Sequence, residues 1–263
     1  MIIILKLKRH IEIEKLVRSV EYMMISDISS QLKVSESTIR RDLKEMSDKG
    51  LITVHQGAVI WNSKENKHHE NIFYRKAQQI DKKRELAIVA VELINQGDVL
   101  YIDTGSTMLE LVKSIDAGML LTVVTNDLEI AMELENKPNI SIIILGGQVK
   151  HGTHTVIFNP SNQMLDYMHF DKMFISPGGI TKEGGLMFFN IQALEERKKI
   201  RKASREMIVV MDSSKFDKNC FISGFQFSEC STLVTDEISH DWKRHLVQHM
   251  RIITPAASTM NDK

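Results

Sequence analysis

A helical rhythm of apolar residues opens the chain. Ile13, Leu16, Val17 and Val20 recur at three- and four-residue steps, the spacing that lines up one face of a helix. Ile28 and Leu32 repeat the step behind Ser26, whose hydroxyl suits the cap of a second helix. The rhythm breaks at Lys33 and Val34. It resumes behind Ser35, the cap of a third helix running to about Lys49, with Gly50 as its stop. "LITVHQGAVI" then alternates around a Gln56-Gly57 turn, which predicts a small hairpin. Three short helices with a tight turn before the third, followed by a hairpin, predict a winged helix-turn-helix over residues 7–62. The helix-turn-helix itself falls at about 24–43.

The pattern changes twice more. Residues 63–79 are mostly polar and read as a linker. From residue 80 to about 254, short Val-, Ile- and Leu-rich runs alternate with longer helical stretches, the mark of βαβ units and a mainly parallel sheet. Residues 255–263 read as a loose tail. The predicted class is therefore α/β, a small winged helix-turn-helix followed by a larger parallel-sheet domain.

Composition narrows the function classes. The 34 Lys and Arg balance 34 Asp and Glu, so no global charge points to DNA or to a membrane surface, and any basic patch must be local. The apolar run Ile2–Leu5 is too short for a signal peptide or a span, so a cytoplasmic protein without a membrane partner is expected. Cys220 and Cys230 lie outside any metal or CxxC spacing and read as reduced thiols. His68-His69 and the pair His151 and His154 lack accompanying ligands, so neither a metal nor another cofactor is expected.

Projecting the third helix at 100° per residue sorts its chemistry. Ile39, Leu43 and Met46 share the face that must be buried, while Ser37, Arg41, Lys44 and Asp48 face away and Arg40 takes a flank. A recognition helix reads base edges with its N-terminal half, and an Arg fork matches guanine O6 and N7. Asp42 falls at the border of the buried face, where it orients an Arg or caps locally rather than touching DNA. An isolated Arg-Arg pair is ordinarily a solvated face, and residues 1–61 hold only 10 Lys and Arg against 8 Asp and Glu. The arrangement of helices and wing is what favours a DNA reader. Its candidate contacts are Ser35, Ser37, Thr38, Arg40, Arg41 and Lys44, with His55 and Gly57 on the wing.

In the larger domain five apolar runs end in small or polar residues: "DVLYID" before "TGST", "LLTVVT" before Asn126, "ISIIIL" before Gly146-Gly147, "DKMFIS" before "PGGI", and "REMIVVM" before "DSSK". In a parallel sheet those ends share the edge where ligands bind. Gly105, Ser106 and Thr107, ahead of a helical stretch from Met108, supply backbone N–H groups and hydroxyls for an anion, and Lys215 adds a charge. Asp103 and Asn126 suit sugar hydroxyls. Each motif alone is an ordinary cap or turn; together they indicate a cleft.

These stretches carry a resemblance. "VSESTIRRDL" and "KGLITVHQGAV", with Arg9 on the first helix, resemble the helix-turn-helix of the DeoR family of bacterial transcriptional regulators. "YIDTGST", "VVTNDLEIA", "IIILGG" and "VVMDSSKF" extend the likeness over about residues 9–236. The family resemblance implies an effector domain similar in fold to ribose-5-phosphate isomerase and coenzyme A transferases. It also implies a repressor of carbohydrate uptake and breakdown genes that binds double-stranded operator DNA and a phosphorylated effector. Carried over by position, Asp103, Gly105, Ser106, Thr107, Thr125, Asn126, Gly146, Gly147 and Lys215 are the candidate effector contacts. The sequence departs from the family pattern at Gln56, Ser106 and Ser176, and at Glu196, where a Lys is usual and where Arg197 or Lys198 is the substitute. Arg75 falls where the family has an arginine. Paired half-sites imply a homo-oligomer, a dimer or tetramer. The rival reading is a sugar-phosphate isomerase with an accessory domain, for which Asp103 and Glu196 are the carboxylates available as base.

Overall fold

A computed structural model describes residues 6–18, 20, 22–48, 51–55, 57–61, 79–150, 153–158 and 163–255. Gly50, Gln56, the linker up to residue 78 with His68, His69 and Arg75, His151, and residues 256–263 of the tail lie outside the described residues. The chain divides into two compact units, Met1–Gln78 and Gln79–Lys263.

The first unit holds helices α1 (Lys6–Arg18), α2 (Ile25–Leu32) and α3 (Glu36–Asp48) and strands β1 (Met23–Met24), β2 (Ile52–His55) and β3 (Ala58–Trp61). Ile13 and Val17 of α1, Ile28 of α2 and Ile39, Leu43 and Met46 of α3 are all buried in one core with Ile52 and Val59. Each such side chain contributes about 1.5–3 kcal/mol, which is why the apolar rhythm was a sound guide here. Val20 was expected in the same core, but α1 ends at Arg18, two residues short of it, and Val20 is 42% exposed.

The start of α2 also differs from expectation. The helix begins at Ile25 behind an extended Met24, so Ser26 is not its cap. Met23 and Met24 instead pair with Val59 and Ala58 of β3, and the Ile25 N–H donates to the Gly57 carbonyl at 2.8 Å. The β2–β3 hairpin closes with His55 opposite Ala58, and Gly57 just before Ala58 takes φ 83°. That conformation suits glycine. Between α2 and α3 the backbone turns at Lys33 (φ 52°), and Ser29 ties the turn down by donating from Oγ to the Val34 carbonyl at 2.7 Å.

The second unit is built on seven parallel strands in the order β15-β14-β12-β9-β4-β5-β6. In chain order they are β4 (Val99–Ile102), β5 (Leu121–Thr125), β6 (Ile140–Ile144), β9 (Phe170–Ile175), β12 (Ser204–Val210), β14 (Thr232–Val234) and β15 (Arg251–Ile253). Alternation sorts the strand residues onto two buried faces. Leu100, Ile102, Phe174, Ile208 and Val210 pack with the helices α4 (Ile80–Val91), α5 (Ser106–Ser114) and α6 (Leu128–Glu135). Tyr101, Met173, Ile175, Met207 and Val209 pack with Ile200 of α7 (Gln192–Lys202) and with Trp242 and Leu246 of α8 (His240–Leu246). Burial on both faces explains why these strands read as continuous apolar runs. Helix α5 begins at Ser106, two residues before the expected Met108.

The chain runs outward from β4 through β5 to β6, then returns to lay β9 on the other side of β4. The order therefore reverses between β4 and β9, and a crevice opens at the carboxyl ends of strands at such a switch point. A hairpin of β7 (Gly147–Lys150) and β8 (Thr155–Phe158) folds back over that edge, with the Val156 N–H donating to the Asn126 carbonyl at 2.7 Å. A separate antiparallel sheet joins β10 (Gly179–Thr181), β11 (Gly185–Phe188) and β13 (Ile222–Phe225).

Candidate DNA-reading surface and sensor cleft

Helix α3 presents the face that its periodicity requires. Ser35, Ser37, Arg40, Arg41 and Lys44 are exposed and Thr38 is half-buried, opposite the buried Ile39, Leu43 and Met46. Ser35 organises the first turn. Its carbonyl accepts from the Thr38 and Ile39 N–H groups at 3.0 and 3.1 Å, and its hydroxyl lies 3.1 Å from that of Ser37 and 3.0 Å from that of Thr38. On the wing, His55 ends β2 and Gly57 forms the turn.

Asp42 proves to be a structural residue of this surface. It is 2% exposed and receives the guanidinium of Arg9 from α1, 33 residues away, with the Arg9 Nη2 to Asp42 Oδ1 bond at 3.0 Å. His10 Nε2 stands 3.4 Å from the same carboxylate. The hydrogen bond to Asp42 holds the Arg9 guanidinium above its ordinary range, against a smaller opposing effect of burial. The Asp therefore orients an Arg from the first helix rather than Arg40 or Arg41 beside it.

Ion pairing resolves the puzzle of the near-neutral unit. Lys6 pairs with Glu45, Lys15 with Glu12, Arg18 with Glu14 and Arg40 with Glu36, besides Arg9 with Asp42. Among the described residues of this unit, Lys8, Lys33, Arg41 and Lys44 have no carboxylate partner. Three of those four fall between the α2–α3 turn and the middle of α3. Unpaired positive charge thus runs from the α2–α3 turn to Lys44, with Asp48, likewise unpaired among the described residues, beyond it at the far end of the same face. That cationic stretch is what attraction to phosphates needs.

In the second unit Asp103 follows β4 and Asn126 follows β5, brought side by side by the register Ile102 opposite Thr125. Both are fully buried, at 0% and 1% exposure, and Oδ1 of each has no hydrogen-bond partner among the described residues. The other Asp103 oxygen accepts from Arg197 Nε at 2.9 Å. Burial alone would lower the Arg197 guanidinium, but the charge and hydrogen bond of Asp103 outweigh it and raise its pKa. Its guanidinium also lies 4.8 Å above the ring of Phe188. Glu196, the departure noted above, points to a different partner: it accepts from the Tyr101 hydroxyl at 3.4 Å. Arg197, not Lys198, is therefore the cation at the strand ends, and the Glu196 substitution does not remove it. Burial first, and then the charges of Glu196 and Asp103, push the Tyr101 hydroxyl well above its ordinary range.

Around this floor, Gly105 caps α5 with φ 130°, and Ser106 and Thr107 in its first turn are each 4% exposed. Thr125 is buried and its hydroxyl accepts from the Asp127 N–H at 3.2 Å. Asp127 caps α6 by accepting from the Glu129 and Ile130 N–H groups, and its second oxygen accepts from the Thr104 hydroxyl at 2.7 Å and the Gly105 N–H at 3.3 Å. Thr104 in turn meets Thr155 of β8 at 2.9 Å. Burial, only partly offset by these hydrogen bonds, raises the Asp127 carboxyl. This network escaped the sequence reading, although an Asp directly before a helical stretch is a cap signal.

The remaining candidates lie further out. Gly146 and Gly147 are exposed beyond β6. Lys215 is half-buried in a single helical turn, Ser213–Lys215, after β12. Strand β9 stands between β4 and β12, so by sheet spacing the two strand ends lie about 10 Å apart. A groove of about 680 Å³ adjoins the Ser213 side of that turn, lined by Phe216, Asp236 and Trp242 among others, and does not include Asp103 or Asn126. Among the described residues no cluster of His, Cys, Asp and Glu is fit to hold a metal ion, and no helix is long and apolar enough to cross a membrane.

Residues 78–237 match the DeoR C terminal sensor domain, and residues 9–65 match the DeoR-like helix-turn-helix domain. The chain belongs to the DeoR family. It is 32% identical to the lactose phosphotransferase system repressor of Streptococcus mutans over 248 residues, 92% of this chain and 96% of that one. It is 29% identical to the glycerol-3-phosphate regulon repressor of Escherichia coli over 230 residues, 87% of this chain and 90% of that one. Among solved structures, ribose 5-phosphate isomerase A from Methanocaldococcus jannaschii is similar over 53% of this chain and 55% of its own, with 18% identity and a TM-score of 0.40. That last likeness is too loose to carry an argument, and the fold class rests on the parallel sheet and the family match.

Proposed function

We propose that this chain is a DNA-binding transcriptional repressor of genes for carbohydrate uptake or breakdown, acting in the cytoplasm and controlled by a phosphorylated sugar or related metabolite. The observation that carries the reading is the outward face of α3, where Arg41 and Lys44 stand without carboxylate partners on a helix pinned to its core by Arg9 and Asp42. The names of the relatives, repressors of a lactose phosphotransferase system and of a glycerol-3-phosphate regulon, support the carbohydrate setting. Ser35, Ser37, Thr38, Arg40, Arg41, Lys44, His55 and Gly57 form the proposed DNA contacts.

In the proposed sensor site, the hydroxylated end of the effector donates to Asp103 Oδ1 and Asn126 Oδ1, since buried acceptors without donors are strongly disfavoured. Its phosphate lies towards Gly105, Ser106 and Thr107 at the start of α5 or towards Lys215, with Thr125, Gly146 and Gly147 shaping the edge. The effector acts by binding two arrangements of an even-numbered homo-oligomer unequally. The regulator reading is preferred to the isomerase one because the relatives are repressors.

The test is to select binding sequences from a pool of randomised duplex DNA with the full chain, then add glycerol 3-phosphate, fructose 6-phosphate or galactose 6-phosphate to the complex. The expected result is one enriched, two-fold symmetric sequence whose affinity changes with at least one sugar phosphate. No enrichment, or turnover of a sugar phosphate by the protein, overturns the proposal.

A further inference from the structure

The reading helix begins with a carboxylate. Glu36 is the first residue of α3, is exposed, and accepts from Arg40 Nη2 at 3.0 Å, one helical turn on. Lys6, Arg9, Lys15 and Arg18 pair with carboxylates elsewhere in the unit. On the outward side, Lys33, Arg41 and Lys44 have no such partner among the described residues, so there the pairing of Arg40 sets the start of α3 apart. Ser35 engages the hydroxyls of Ser37 and Thr38 in the same turn, which leaves Glu36 as its one carboxylate, balanced by Arg40.

A carboxylate carried into the major groove approaches two rows of phosphates and loses water. Phosphate repulsion opposes it on every sequence. Only a base edge that donates a hydrogen bond compensates, and in the major groove those donors are the exocyclic amino groups of cytosine and adenine, of which cytosine N4 is the usual partner of Glu. The guanidinium one turn away, already hydrogen-bonded to the same carboxylate, matches O6 and N7 of guanine. A Glu and an Arg held 3.0 Å apart therefore present an acceptor and a donor fork together, the complement of a C·G pair.

We propose that Glu36 is a specificity-determining residue of the DNA-reading surface, reading a cytosine amino group while Arg40 reads the guanine, and lowering affinity for DNA that lacks this pair. Glu36 belongs among the base contacts, and Arg40 acts with it rather than as a phosphate clamp. This rests on the DNA-reading assignment of the first unit.

The experiment compares the full-length wild type with Glu36→Gln, Glu36→Ala and Arg40→Ala by selection from a randomised duplex pool, followed by competition of the selected site against single-pair variants at several salt concentrations. Glu36→Ala is expected to flatten the preference at one C·G position by roughly 5- to 100-fold and to tighten binding to unselected DNA. Glu36→Gln is expected to move that position towards A·T, because a side-chain amide matches adenine. Arg40→Ala is expected to relax the same position. Thermal melting of each variant confirms folding; Glu36 is exposed, so the helix persists. Unchanged preferences in both Glu36 variants overturn the proposal, as does a uniform loss of affinity across all sequences. If wild type selects no sequence at all, the DNA-reading assignment falls and this inference with it.

Discussion

Removing either partner of the Arg9–Asp42 pair should damage the first unit unequally, and the inequality is the informative part. Arg9→Met strands a carboxylate that is 2% exposed, and breaking a buried pair costs about 3–5 kcal/mol. Asp42 stays beneath α1 with only the His10 Nε2, 3.4 Å away, left beside it, so the cost falls within that range. Asp42→Ala instead removes the counter-charge of the Arg. Its side chain keeps 13% exposure and a long stem that swings its charge into solvent, so the cost falls to about 2–3 kcal/mol. A domain of this size holds only about 5–10 kcal/mol, so Arg9→Met leaves it close to unfolding. The double variant Arg9→Met/Asp42→Leu buries no charge and should return to within about 1 kcal/mol of wild type. The chain has two tryptophans, Trp61 in the first unit and Trp242 in the second. In a Trp242→Phe background Trp61 fluorescence therefore reports the first unit alone during urea denaturation. Equal costs, or a larger loss for Asp42→Ala, would refute the reasoning from burial.

Other consequences are equally open to measurement. Arg41→Ala should erase the preference for a selected site over random DNA and reduce the salt slope of binding by about one; unchanged discrimination would mean the reading face is misassigned. Asp103→Ala leaves Arg197 buried without its counter-charge and should cost about 3–5 kcal/mol in the second unit, read from its denaturation midpoint. Asp236 is half-buried, which alone would raise its carboxyl, but hydrogen bonds from Lys82 and Ser213 hold it below its ordinary value of 3.8. Its contribution is therefore full above that value and is lost as pH falls through the lower folded value. The stability gap between wild type and Asp236→Asn should be flat at neutral pH and close only below about pH 4. Gly105→Ala places a side chain at φ 130° and should destabilise by about 1–3 kcal/mol.

What could be read from the chain alone was whatever repeats at short range. The face of α3 followed from 100° steps, and the five strand ends followed from apolar runs long enough to be buried on both sides. Failures came where a partner lies far away in sequence. Nothing near Asp42 names Arg9, and nothing near Asp103 names Arg197, 94 residues on. The choice between Arg197 and Lys198 turned on one residue, a rotation of 100° about α7, which no pattern short of the packed sheet could settle. Strands β14 and β15 have only three residues each, too few for periodicity to register. Ser26 looked like a cap because local chemistry favours one there. A backbone bond from 32 residues away had already taken the role.

That bond, from the Ile25 N–H to the Gly57 carbonyl, joins the wing's turn to the first residue of the helix preceding the reading helix. With β1 paired to β3, it makes wing and helices a single stiff tool, whose two points of contact are a fixed distance apart. A tool of that kind cannot be blunted by bending one of its parts. On the proposed function, in which an effector acts on paired copies, control would then lie in where the tool is held and how two of them are spaced, in the handle rather than the tool.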